Sequence, residues 1–243
     1  MMQRARHLGI GIFTTLAVFG SLSQAPAADE ERFEVSSIKA IRPTLVDTIA
    51  ALQQRDVARA KAAFEAYDSG WNGIEVYINI RSKDMYQLLE LDFQARITKA
   101  LDGPNPNIPA LLADAQAMLA KFDETVGMVE KAAPLNPLYD DVARLRIVRA
   151  HLREVNPALN AGNIAKANKS FEDFQDTWFN IEDFVRARSF DAYVVIERGM
   201  VQIDQALMAG KPDVAAVTAL VNRVMSQYNA VVTEVQKEAR VRH

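Results

Sequence analysis

The chain has 243 residues, with 28 Lys and Arg against 31 Asp and Glu, three His and no Cys. Without thiols there are no disulfide staples, thiolate metal sites or cysteine nucleophiles, and three histidines cannot build a His-rich zinc or copper centre. A net charge of −3 argues against nucleic acid as a partner and leaves cation binding through oxygen ligands open.

Residues 1–27 read as a signal peptide. Arg4, Arg6 and His7 make a basic start, residues 8–22 form an apolar run, and Ala25 and Ala27 take the small positions before a cut after Ala27. The run is short for a membrane span and contains Gly9, Gly11 and Gly20. Export to a bacterial periplasm is expected, with no membrane insertion once the leader is gone. Losing Arg4 and Arg6 leaves 26 basic residues against 31 acids, so the exported chain is more acidic still.

Beyond the leader, the chain repeats itself. Shifted by 107 residues, positions 41–93 fall on 148–200 without a gap, and 16 of the 53 pairs are identical. Register held over that length signals an internal duplication. The units are drawn as 28–145 and 146–243. In the first, Phe64, Tyr67, Trp71, Ile74 and Ile78 recur every three or four residues, the spacing of one helical face. Phe171, Phe174, Trp178, Ile181 and Val185 repeat it in the second. Gly and Pro break the helices at 102–109, 133–137, 160–163 and 209–212, and Pro157 is expected to kink or end the helix that starts near Leu138. The expected fold is all-α: two tandem four-helix units forming an antiparallel helical bundle.

The most strongly repeated stretch is a hairpin. Ser82 and Ser189 are each followed two residues later by an acid, Asp84 and Asp191, which is how helices start. Glu75 lies seven residues before Ser82 and Glu90 eight after it, so both sit roughly 10–12 Å from the turn and face each other across the hairpin. Glu182 and Glu197 stand likewise around Ser189. Two like charges in a partly buried place need a positive companion. Either Arg81 and Arg188 supply it, making each motif a salt-bridge staple, or Glu75, Glu90, Glu182 and Glu197 hold a hard cation. The basic stretch from Ala143 to Glu154 reads as an exposed helix face, with an anionic-ligand surface as its other use.

The string Tyr67-x-x-x-Trp71-x-x-Ile74-Glu75, then Arg81-Ser82 and Leu89-Glu90, resembles the extracytoplasmic helical region before the membrane part of bacterial high-affinity iron permeases. Trp71 stands where that region carries Phe, Ser82 stands where it carries Asp, and the permease's Arg-Glu-x-x-Glu membrane signature is missing. The resemblance implies a free periplasmic relative of that module, with iron as the cation and a membrane iron permease as the partner.

No enzyme constellation accompanies it: there is no Gly-rich phosphate loop, no Gly-x-Ser-x-Gly and no His-Glu-x-x-His. His151-x-x-Glu154 is a bare string whose counterpart in the first unit, Thr44 with Asp47, lacks the His. The expected function is therefore a non-enzymatic metal-binding accessory to an uptake system. The alternative is a structural or sensory module that binds a partner protein or a small organic ligand, with the acids structural. N-terminal sequencing of the exported protein should begin at Ala28; a membrane-bound product retaining Met1 would contradict the cleavage.

Overall fold

Polar side chains start most of the helices. Asp56 accepts from the Arg59 amide at 3.0 Å, and Asn163, 107 residues on, accepts from Lys166 at 3.0 Å. Ser82 Oγ accepts from the Met85 amide and Ser189 Oγ from the Ala192 amide, both at 3.2 Å. Asn107 and Asp213 cap two further helices. Each cap satisfies amides that the helix itself leaves free, typically stabilising by about 1 kcal/mol.

The computed structural model describes residues 31–209 and 211–242, so the leader expected at 1–27 lies outside the described residues. In chain order the elements are α1 (Phe33–Gln53), α2 (Val57–Arg81), α3 (Lys83–Tyr86), a π-helical segment (Gln87–Gln94), α4 (Ala95–Asp102) and α5 (Ile108–Lys131). Then come α6 (Leu138–Asn160), α7 (Ile164–Trp178), α8 (Glu182–Arg188), α9 (Phe190–Leu207) and α10 (Val214–Val241). The protein is all-α, and none of its described helices is long and apolar enough to cross a membrane.

The elements keep the 107-residue offset. Positions 57–81 are helix α2, and α7 and α8 together occupy 164–188. Arg55 and Gly162, one offset apart, both have positive φ, at 58° and 70°, in the turn that precedes these helices. Trp71 and Trp178 are fully buried in matching aromatic stacks. In one, Tyr67 stacks on Phe64 at 5.6 Å and on Trp71 at 5.9 Å, with Phe122 edge-on at 6.0 Å. In the other, Phe174 lies 6.2 Å from both Phe171 and Trp178, with Tyr228 edge-on at 6.0 Å. Such pairs contribute about 0.5–1.5 kcal/mol each beyond the area they bury.

Three details differ from the sequence reading. The boundary drawn between 145 and 146 falls inside α6, and the break in the chain lies at 132–137, where Pro134 and Pro137 stand. Helix α6 runs through Pro157 and ends only at Asn160. The repeated helix is continuous in the first half but interrupted at 179–181 in the second. There Thr177 Oγ1 donates back to the Asp173 and Phe174 carbonyls, at 2.7 and 3.2 Å. Back-bonding of this kind bends a helix, and Asn180 then competes with the helical backbone.

Helix α6 packs against α2, α7 and α10 and so joins the two halves. Its approach to α2 depends on Gly73, where a Cβ would come within 2.3 Å of Ile147 Cγ1. Gly73→Ala should therefore lower the stability measured by urea unfolding by about 1–3 kcal/mol through overpacking. Gly127→Ala, in α5 with open space around it, should raise stability by about 0.5–1 kcal/mol. An unchanged midpoint for Gly73→Ala would show that this contact is not tight.

Candidate functional site

The α3–α4 arm runs back along α2, as Lys61–Asp102 at 2.5 Å near one end and the Gln94 Nε2 to Asp68 Oδ1 hydrogen bond further along require. The four acids of the repeated motif meet four different fates. Glu75 is held by Arg146, at 2.7 Å, reaching across from α6, and the two side chains are only 19% and 13% exposed. Glu197 accepts from the indole Nε1–H of Trp178 at 2.6 Å. Glu182 opens the short helix α8, where a carboxylate is favoured by the free amides.

Glu90 keeps a free oxygen. Its Oε2 is buried without a protein partner among the described residues, and so is Trp71 Nε1. The Trp71 indole acts on this carboxylate as a donor, without the well-formed 2.6 Å hydrogen bond that its counterpart Trp178 makes to Glu197. Burial, and after it the negative charge of Glu75, raise the pKa of Glu90, with the Trp71 indole pulling the other way. Burial also raises the pKa of Glu75, opposed by Arg146, Arg149 and Arg153. The two carboxylates do share one electrostatic environment, as the hairpin geometry requires.

Arg81 and Arg188 are not the compensating charges. Arg81 pairs with Glu34 of α1 at 2.6 Å and also bonds the carbonyls of Tyr77 and Ala133. Arg188 pairs with Glu238 of α10 at 2.6 Å. Both arginines therefore clamp the ends of other helices beside the turn, and a residue at the turn is about 10 Å from either motif acid. The neutralising cation for Glu75 is Arg146, which no spacing within the motif could indicate. The basic stretch that carries it is not simply an exposed face, since Arg146 and Arg149 are half-buried.

Around Glu90 the first half gathers other polar atoms. Among the described residues Tyr67 Oη and Gln94 Oε1 are buried without protein partners, like Glu90 Oε2. Tyr67 is held neutral by burial, with the charges of Glu90 and Asp68 adding to the effect. Asp68 is raised by burial, with Arg153 opposing. Asn72 donates to the Asp68 carbonyl at 2.7 Å and accepts from Arg153. In the second half the positions of Tyr67, Asp68, Asn72 and Gln94 are held by Phe174, Gln175, Phe179 and Val201. Three hydroxyl- or amide-bearing residues have become apolar there, and the arm is regular α-helix where the first half carries the π-helical segment. π-helical turns widen a helix locally and recur at functional sites. Comparing the repeats for their differences would have located this cluster; comparing them for identities could not.

Among the described residues no group of three or more His, Cys, Asp and Glu is placed to hold a metal. Any cation here must take one or two carboxylates and complete its shell with neutral oxygens such as Tyr67 Oη and Gln94 Oε1, a donor set that suits hard cations. Glu154 of the His151-x-x-Glu154 string pairs with Lys166 at 3.6 Å. No protein-family model matches the chain, and neither the curated proteins nor the solved structures contain a match.

The raised pKa of Glu90 has a consequence for stability. The folded protein holds this proton to higher pH than the unfolded chain, whose carboxylate titrates near the ordinary 4.5. The stability from this group is full below that value and is lost as pH rises through the raised folded pKa. In metal-free buffer Glu90→Gln should flatten this decline and melt above the parent protein at pH 7. A variant that melts lower with an unchanged pH slope would show that the charged carboxylate is well compensated.

Proposed function

We propose that the chain is a non-enzymatic binding protein for a hard cation, with its site at the first hairpin. The observation that carries this reading is the set of three buried oxygens without protein partners among the described residues, Glu90 Oε2, Gln94 Oε1 and Tyr67 Oη, on α2 and the π-helical segment. Leaving such groups unpaired is costly, and a cation that binds them converts the cost into affinity. Glu90 supplies the negative charge and Gln94 and Tyr67 neutral oxygens. Gln94 Nε2 is already given to Asp68, which leaves Oε1 as the atom available to a ligand. Trp71 and the charge of Glu75 complete the surroundings.

The resemblance to the extracytoplasmic region of bacterial iron permeases supports iron among the hard cations and a membrane uptake system as the partner. The leader-like residues 1–27 support a periplasmic location. A second reading, a helical module in which the repeated acids are structural, is favoured by the Glu75–Arg146 pair and the Trp178–Glu197 hydrogen bond. The two readings divide by residue: Glu75, Glu182 and Glu197 act as framework and Glu90 binds.

Calorimetric titration of metal-free protein with ferrous ion, manganese and calcium separates them. One cation should bind per chain, Glu90→Gln should abolish binding while the fold persists, and Glu197→Gln should leave binding intact. If no cation binds, or Glu90→Gln binds as the parent does, the acids are framework throughout.

A further inference from the structure

We infer that the recess between α6 and α10, lined by Arg149, Arg153, Asn229 and Met225, binds a small oxyanion, a carboxylate or a phosphate. Its volume of about 270 Å³ suits a ligand of a few heavy atoms. This site does not depend on the cation reading.

The duplication shows what is missing there. Arg42 and Arg149 are the same position of the two halves. Arg42 makes a two-pronged ion pair with Asp123 of α5, Nε and Nη2 donating at 2.7 and 2.8 Å. Phe122 and Tyr228 take the same edge-on place in the two aromatic stacks, so the next residue, Asp123, is matched by Asn229: the second half has kept the arginine and replaced its acid by a neutral amide. Arg149 gives Nη1 to the neutral Asn229 Oδ1 at 2.8 Å, and its Nε is buried with no protein acceptor among the described residues. Arg153 donates to Asn72, also neutral.

The charges that act most strongly on Arg149 are positive. Burial, then the positive charges of Arg146 and Arg153, push the pKa of Arg149 down, with Tyr228 and Glu75 opposing. Glu75 is the carboxylate that acts on Arg149, and Arg146 already holds it at 2.7 Å, while Asp68 and Glu90 act on Arg153 from the side of the first hairpin. A guanidinium fork matches the planar oxygens of a carboxylate and the tetrahedral oxygens of a phosphate, and a second arginine one helical turn further along closes the grip. Met225 provides an apolar wall. An oxyanion in this recess supplies the charge that Asp123 supplies in the first half.

The test is calorimetric titration of the full chain, stripped of metal on a chelating resin, with inorganic phosphate and separately with succinate. Saturable binding of either anion is expected, and the one that binds identifies the source class. Arg149→Gln and Arg153→Gln should each weaken it by about tenfold or more, as loss of a charged hydrogen-bonding partner does. Arg153 is exposed, so Arg153→Gln decides the matter even if Arg149→Gln fails to fold. Absence of saturable binding for both anions, or a folded Arg153→Gln protein that binds as the parent does, would overturn the proposal.

Discussion

The seam between α2 and α6 is the contact on which the rest depends. It is where one half of the chain meets the other, and it is tight because Gly73 presents no side chain to Ile147. Across it runs the Glu75–Arg146 pair, largely removed from water. A pair in this position costs desolvation that the attraction only partly returns, but losing either partner leaves a lone buried charge, which is worse by about 3–5 kcal/mol. The seam therefore fixes the register of α6 against α2. That register places Arg146, Arg149 and Arg153 beside the hairpin that carries Glu75, Glu90 and Asp68.

The two halves share a motif and differ in what surrounds it. Both halves retain the aromatic stack, the serine cap at the turn and the arginine just before it. In the first half the stack carries a tyrosine and the arm a glutamine, and polar atoms gather around Glu90. In the second half a phenylalanine and a valine replace them, and Glu197 is satisfied by Trp178. Charge is handled in the opposite sense: Arg42 has its aspartate in the first half, while Arg149 lacks one in the second. The duplicated framework thus leaves an acidic group unmatched on one side of the seam and a basic group unmatched on the other.

Much of the fold was legible because its signals are local. Caps, Gly and Pro breaks and the spacing of Phe64, Tyr67 and Trp71 depend on residues a few positions apart, and the repeat doubled each signal. The partner of Glu75 was not legible, since Arg146 lies 71 residues away and is chosen by helix packing rather than by the motif. Arg81 and Arg188 looked like the partners because they are near in sequence, yet they reach Glu34 and Glu238 on other helices. The π-helical segment and the interruption at 179–181 depend on small balances between backbone hydrogen bonds that residue spacing does not express. The polar cluster at Glu90 did leave a trace in the sequence, at four of the many positions where the repeats differ.

The cation reading places a single ion at the first hairpin, and crystals of the metal-free protein soaked in manganese test that placement directly. The anomalous-scattering map should show one peak within bonding distance of the Glu90 carboxylate and the Gln94 side-chain oxygen, and none at Glu182 or Glu197. A map with no peak beside Glu90, or with its peak at the second hairpin instead, would contradict the account.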